Sequence, residues 1–593
     1  MIFGKHINSY YFKYIHILLL GMASLVFVDY FHLRMPNLYQ MVVNGMNDGY
    51  VVRDGVRHTF DMAFLLDEIC LPMLVIILVM VLGRFLWRAC FLGSAVRVEA
   101  DLRNRMFNNA RSLSHQYYQA NKIGSLMSLF TNDLDTVQEC FGWGIMMCFD
   151  AAFMGALAIS KMWRMDHALT LLSLIPMAFL MAAATVLGRH MMIKWDIRQE
   201  AFSRLTDFAQ ESFTGLAVIK AFVKEGRELL AFQKLNLENE QANMEHTRIS
   251  VLFRILVILF VESVVCVILG YGGYLVYRGR FNAGQLVEFI GYFQAVIWPV
   301  MAVSELIDMG SRGRASLLRI GELLDAGQDV ADRAGARDLV DPKGSIEFRN
   351  LTFRYPDGEY DALEDISFTI HAGENVGLFG RTGSGKTTLV DLILRTYNVP
   401  DGTLFIDGQD VNGLTIRSVR AACSYVPQDG FLFSDTIESN ISFGMEGQGL
   451  TAVVQAAKLA DIHSNIEEFG SGYATVLGER GVTVSGGQKQ RISIARALMR
   501  NAPILILDDS VSAVDTRTEQ NIMENLRAVR AGKTTILIAH RISTIEKMDK
   551  ILFIDEGRLA AVGKHRELYA ANAKYRKLVD LQKLDEEGGE RNV

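Results

Sequence analysis

Cysteine is scarce and carries no pairing pattern: Cys70, Cys90, Cys140, Cys148, Cys266 and Cys423 include no CxxC pair. This gives no footing to a disulfide framework or a structural zinc site. Five of the six lie in or near apolar sequence, where a small thiol is an ordinary packing residue. There is also no basic tail or arginine-rich block. The formal charge is −6 with Lys and Arg spread along the chain, which argues against nucleic acid as a partner. The opening MIFGKHINSYYFKYIH lacks a short apolar core followed by a small-residue cleavage site, so the first apolar segment is expected to be retained.

The chain is long, and its 593 residues exceed what one soluble core organises. Its halves are written for different solvents. Residues 1–320 hold long apolar stretches between short polar loops, 321–342 read as a linker, and 343–593 alternate short apolar runs with turns and charged helices. Six segments reach the roughly 20 helical residues that cross a bilayer. They are Tyr14–Val43, Met62–Phe91, Phe141–Ser160, Ala168–Gly188, Val251–Tyr277 and Leu286–Asp308.

Charge sets the orientation. The second-to-third connection carries Arg97, Arg103, Arg105, Arg111 and Lys122. The fourth-to-fifth carries nine more basic residues, from Arg189 to Arg248, whereas each connection on the other side has only two. The basic connections are therefore expected in the cytoplasm, with both termini. Within them, VEADLRNRMFNNARSLSHQYY and DIRQEAFSRLTDFAQESF place apolar residues at helical spacing, with Gly124 and Gly215 near the turns. The membrane helices are thus expected to continue well beyond the bilayer.

The second half opens with GSIEFRNLTFRYPDGEYDALEDISFTI, an alternating pattern with turn residues that fits antiparallel strands. The apolar run ENVGLFG then leads into the loop of Gly380, Arg381, Thr382, Gly383, Ser384, Gly385, Lys386 and Thr387, followed by Thr388 and the helical LVDLILRTY. A GxxxxGKT loop between a strand and a helix cradles phosphate oxygens with backbone amides. Its Lys supplies positive charge to the outer phosphates, and its Thr hydroxyl holds Mg²⁺. Downstream, the apolar strand ILIL ends in Asp508 and Asp509. Asp508 is the metal-side candidate. Asp509 is either a base for the attacking water or electrostatic support.

At these residues the sequence resembles the ABC exporters. GRTGSGKT, Gln428 in YVPQDGFLF, Val484-Ser485-Gly486-Gly487-Gln488, ILILD, SAVD ending at Asp515, and His540 in LIAHR occur in that family's order. MSLFTNDLDTV, FTGLAVIKAFVKE and RASLLRIGELLD extend the likeness to the apolar half. The resemblance implies a six-helix exporter transmembrane domain followed by an α/β P-loop ATP-binding cassette, with ATP and Mg²⁺ as cofactors. It implies that Tyr355 stacks on adenine, that Gln428 links the Mg²⁺ site to the membrane side, and that His540 is a switch near the γ-phosphate. It also implies that Ser485, Gly486, Gly487 and Gln488 complete the ATP site of a second cassette, so that one chain supplies half of each composite site.

One position departs from the family: Asp509 stands where hydrolytically competent cassettes have Glu. Losing a methylene retracts the carboxylate by roughly 1.5 Å, which disturbs water activation. The expected assembly is a heterodimer with a second half-transporter that carries the catalytic Glu and a weakened signature segment; a slow homodimer is the alternative. The expected location is the inner membrane of a bacterium, with the cassette in the cytoplasm. Asp29 with Arg34, Asp67, Glu68, Asp150, Glu262, Glu305 and Asp308 are charges in or near the spans, where charge is costly unless paired or hydrated. Their acidic bias favours a hydrophobic or amphipathic, cationic cargo. Lipid or peptide export, or a nucleotide-gated regulatory subunit, are the alternatives.

Overall fold

The computed structural model describes residues 4–53, 56–445, 447–478, 481, 484–512, 514–539 and 541–590. They form two compact units: Met1–Arg111 with Ile123–Ala326, and Ser112–Lys122 with Gly327–Val593.

The first unit is helical. A short helix α1 (Asn8–Lys13) leads into α2 (Ile15–His32) and α3 (Met35–Asp48). The first predicted span is thus divided at Leu33 and Arg34. Pro36 supplies the reason: it brings no N–H and its ring obstructs a continuing turn, so it sits in the first turn of a new helix. Strands β1 (Tyr50–Arg53) and β2 (Val56–Thr59) then pair antiparallel. The long helices follow as α4 (Leu71–Ala110), α6 (Ile145–Met165), α7 (His167–Thr214), α8 (Glu225–Tyr277) and α9 (Ala283–Asp325), while the short α5 (His115–Ala120) folds in the second unit.

Among the described residues, five helical stretches are long and apolar enough to cross a membrane: Ile15–Asp48, Met62–Ala110, Ile123–Met165, Glu225–Tyr277 and Ala283–Asp325. The remaining predicted span lies within α7, whose described apolar stretch is His167–Phe179. At 1.5 Å per residue, helices of 48 and 53 residues run roughly 70–80 Å, more than twice the hydrocarbon thickness. Their polar portions therefore extend outside the bilayer. Caps fix the starts: Asp166 accepts from the Leu169 amide at 2.8 Å before α7, and Asn282 with Gln285 forms a reciprocal capping box before α9.

Packing inside this unit depends on small residues. Ser24 Oγ donates to the Gly83 carbonyl at 3.0 Å, and a Cβ on Gly83 would lie 2.4 Å from Val28, so α2 and α4 approach only because that side chain is absent. Farther along, Asp133 is buried, accepts from Ser316 Oγ at 2.7 Å and pairs with Arg319, tying the segment before α6 to α9.

The second unit is built on two sheets. A six-stranded sheet runs β12-β11-β5-β10-β9-β8, using β5 (Asn375–Phe379), β8 (Cys423–Val426), β9 (Ile504–Asp508), β10 (Thr534–Ile538), β11 (Lys550–Asp555) and β12 (Arg558–Gly563). All neighbours pair parallel except β12, which is antiparallel to β11. Every residue of β9 and of β10 is buried, as befits central parallel strands covered on both faces. A four-stranded antiparallel sheet, β4-β3-β6-β7, is formed by β3 (Ile346–Arg354), β4 (Asp361–Ile370), β6 (Leu404–Ile406) and β7 (Gln409–Asp410). The order is thus a unit of long helices followed by a unit of mixed sheets and helices, as the sequence implied.

Candidate nucleotide site

In parallel α/β sheets, ligands gather at the carboxyl ends of the strands. Three candidate groups lie there. The phosphate loop follows β5, Gln428 follows β8 by two residues, and Asp508 ends β9. Register aligns the last two, because Val426 of β8 pairs with Leu507 of β9. His540, expected just beyond β10, lies outside the described residues.

The loop's shape follows from its glycines. Gly385 adopts φ +100°, and a Cβ there would sit 2.6 Å from the Leu363 side chain. Only glycine permits both the left-handed backbone and that close approach. The turn delivers the chain into α10 (Lys386–Ile393), whose first-turn amides open toward the loop. Lys386 Nζ donates to the carbonyls of Gly380 at 3.0 Å and Arg381 at 2.8 Å. Burial pushes its ammonium below the ordinary lysine range, while Asp508 and Asp509 hold it up. Arg381, Thr382 and Gly383 are exposed on the loop's outer side.

A phosphate fits this cradle. Ser384 is buried, and its Oγ has no hydrogen-bond partner among the described residues, an arrangement that a phosphate oxygen would complete. For a divalent ion, Thr387 Oγ1 lies 3.5 Å from Asp508 Oδ1. The hydroxyl, one carboxylate and the exposed Gln428 amide are hard oxygen donors, and few enough for Mg²⁺, which keeps waters and phosphate oxygens in its shell. When bound, the ion would neutralise phosphate charge.

Tyr355 sits beside this loop. Its hydroxyl is 2.8 Å from Thr388 Oγ1, and its ring stands nearly perpendicular to Tyr397 at 5.2 Å between centroids. The Tyr397 hydroxyl in turn donates to Gln119 Oε1 at 2.7 Å, and Ser114 Oγ donates to Asp329 at 3.3 Å. Residues 112–122, which in sequence separate two membrane helices, are thus anchored next to the aromatic pair. Sequence reading did not find Tyr397 or Gln119, because neither belongs to a local motif.

Asp509 is 8% exposed with φ +45°, and its amide donates to the Ile538 carbonyl at 2.9 Å. Asp enters that left-handed region more readily than most non-glycine residues. Beyond it, Asp515 caps α12 (Thr516–Val529), for which the helix α11 (Gly486–Arg500) is the chain-order predecessor, by accepting from the Thr518 amide at 3.0 Å. Those amide bonds hold the Asp515 carboxyl below the usual range.

Ser485 is the N-cap of α11. Its Oγ accepts from the Gln488 amide at 3.3 Å, and the Gln488 side chain accepts from the Ser485 amide at 3.0 Å. Ser485 and Gly486 are exposed, and a Cβ on Gly486 would meet nothing within 4 Å. With Gly487 in the same first turn, this is an outward helix terminus of fifteen residues, with amides available to an anion.

A further acid near the site was not singled out from the sequence. Asp391, on α10, is pushed up to about 6, first by burial and then by the Asp508 charge. Because the folded value exceeds the ordinary carboxyl value of 3.8, its stabilising contribution is complete below about pH 4 and is lost as pH rises through 6. The nucleotide-free chain should therefore lose thermal stability over that window, on the order of 1–2 kcal/mol, and Asp391→Asn should flatten the slope in pH-dependent melting.

Known proteins match along most of the chain. The family model for the ABC transporter transmembrane region matches residues 18–300, and that for the ABC transporter matches 363–512. The chain is 36% identical to the Bacillus subtilis probable multidrug resistance ABC transporter ATP-binding/permease protein YheI, over 99% of this chain and 98% of that protein. It is 33% identical to the Escherichia coli multidrug resistance-like ATP-binding protein MdlA, over 95% and 94%. A solved bacterial Atm1-family ABC exporter with ATP bound superposes with a TM-score of 0.77 at 28% identity, covering 97% of this chain and 98% of that one. With a transmembrane region and an ATP-binding domain in one polypeptide, the chain belongs to the ABC transporters and is a half-transporter that couples ATP hydrolysis to export across the membrane.

Proposed function

We propose that this chain is the hydrolytically weak half of a heterodimeric exporter for hydrophobic or amphipathic, cationic compounds. The observation that carries the asymmetry is the pairing of Asp509, a short carboxylate after β9, with an intact Ser485–Gln488 helix cap. In this reading Lys386 and the loop from Gly380 to Thr388 bind ATP phosphates, Tyr355 stacks on adenine, and Thr387, Gln428 and Asp508 hold Mg²⁺. Gln428 links the Mg²⁺ site to the membrane side, His540 is the switch near the γ-phosphate, and Asp509 supports charge without driving water activation. Ser485, Gly486, Gly487 and Gln488 close over ATP bound to the partner cassette, whose Glu serves as base.

The domains in this reading are a membrane domain over 1–320, a linker over 321–342 and a cytoplasmic cassette over 343–593. The long helices carry cassette movement to the bilayer. Two relatives named for multidrug resistance support the cargo class. The test is to purify this chain with its genomic neighbour, reconstitute the pair in vesicles and follow ATP-dependent uptake of a cationic amphiphile alongside lipid movement between leaflets. Uptake of the amphiphile is expected. Lipid movement alone would make the chain a flippase, and nucleotide-dependent gating without net transport would make it a regulatory subunit.

A further inference from the structure

Beyond the end of α10 the chain carries Tyr397, whose ring is almost wholly enclosed at 2% exposure. A buried phenol hydroxyl needs a hydrogen-bond partner, and this one donates to Gln119 Oε1 at 2.7 Å. Gln119 belongs to α5, is itself exposed, and has its Nε2 3.2 Å from His115 Nε2 one turn earlier. A second contact holds the same segment. Asn398, next to Tyr397, donates to the Asp329 carbonyl at 2.6 Å, while Ser114 Oγ donates to the Asp329 carboxylate at 3.3 Å. Residues 112–122 are thus mounted on the second unit at two separate polar points.

Tyr397 is in turn part of what holds Tyr355. The Tyr355 hydroxyl lies 2.8 Å from Thr388 Oγ1, in the first turn of α10. Phe353 stands 5.2 Å from its ring at 79°, and Tyr397 stands 5.2 Å away at 85°. Phe353 and Tyr397 also meet, at 5.8 Å, which closes a cluster of three rings. Near-perpendicular rings at these separations attract one another beyond the area they bury. The tilt of Tyr355 therefore depends on that of Tyr397, and the Gln119 bond sets the latter. A ring that must lie parallel to a base binds it best when its tilt is fixed before the base arrives.

From this arrangement we infer that Tyr397 and Gln119 are positioning residues for base recognition. The Gln119 amide fixes Tyr397, Tyr397 fixes Tyr355, and a segment lying between two membrane helices in sequence thereby strengthens the preference for a nucleotide over a bare sugar triphosphate. The inference rests on the reading in which Tyr355 stacks on adenine, and adds to it two residues that act through that ring. Linkage makes the effect reciprocal. A displacement of 112–122 that breaks the Gln119 bond lowers base affinity by the same factor by which a bound base resists that displacement.

The test is competition against a fluorescent ATP analogue on the assembled pair in lipid nanodiscs, resolved into two sites, with Mg²⁺ withheld so that nothing is hydrolysed. The competitors are ATP and ribose 5-triphosphate, which keeps the sugar and phosphates and lacks the base. Gln119→Leu and Tyr397→Phe should each cut the ATP preference at one site by at least about threefold, with ribose 5-triphosphate affinity unchanged within about twofold. Gln119→Glu keeps an acceptor oxygen and should hold the preference within about twofold of the unaltered pair. Tyr355→Ala should remove the preference at that site. If Tyr355→Ala removes it and Gln119→Leu leaves it unchanged, the inference is overturned and the stacking reading stands. An equal loss of affinity for both competitors in Gln119→Leu also overturns the inference, since it would mark a general loosening of the site. A preference that survives Tyr355→Ala removes the stacking reading and the inference with it.

Discussion

Replacing the partner's catalytic Glu with Gln should lower steady-state ATP turnover of the assembled pair by at least about 100-fold, whereas Asp509→Ala should lower it by no more than about threefold. The difference is one of reach. A general base must contact both the attacking water and its proton, and Asp509 is one methylene short at a buried position whose backbone is already committed by the Ile538 carbonyl. Ser485→Ala should fall between the two and nearer the larger loss. The Ser485 cap orders the α11 terminus that, in this reading, closes over the partner's ATP. Turnover must be compared at saturating ATP after equal assembly is verified. Loss of all hydrolysis in Asp509→Ala, with activity retained in the partner's Glu→Gln variant, would reverse the assignment.

Lys386→Ala should weaken ATP binding at this chain's own site by about 100-fold or more, since a buried charge-assisted contact to phosphate is lost along with the ammonium's hold on the loop. Turnover should fall less than binding at that site, because hydrolysis is assigned mainly to the other one. Equilibrium binding of a fluorescent ATP analogue, resolved into two sites, checks this. Two unchanged affinities would show that the loop does not hold nucleotide in the assembled protein.

How much of this could be read from sequence depended on distance along the chain. The phosphate loop was legible because its Gly, Lys and Thr spacing lies between an apolar strand and a helix, and the fold preserves that local order as β5, loop and α10. The strand ending in Asp508 was legible for the same reason. The hairpin of β1 and β2 was missed although Asp54-Gly55 between VVR and VRHT is a strong turn signal, because its position between spans suggested a plain loop. The convergence of Asp29 and Asp150 left no trace in local pattern, since only the packing of α2 against α6 brings them to one cavity. Glu288 was also passed over. It is buried on α9, where it accepts from the Tyr292 hydroxyl at 2.7 Å and from Asn37 at 3.3 Å, an inward acid masked by the aromatic run around it.

The attachment of residues 112–122 to the cassette unit shows a related limit. Periodicity indicated a helix near HQYY, but it could not indicate that Gln119 would meet Tyr397, a residue of the other half of the sequence. Tyr397 touches Tyr355, so in the proposed reading, where Tyr355 stacks on adenine, the nucleotide and the 112–122 segment share one aromatic contact. That is a physical route by which a nucleotide could be sensed outside the cassette core.

The central claim is that this chain works beside a different chain with unequal ATP sites. The most direct measurement is the native mass of the complex purified from its own membrane, with both subunits identified and turnover recorded on the same sample. The account predicts one copy of this chain with one copy of a second half-transporter bearing Glu at the position equivalent to Asp509. A complex of two identical copies of this chain that hydrolyses ATP rapidly, and loses that activity on Asp509→Ala, would contradict it.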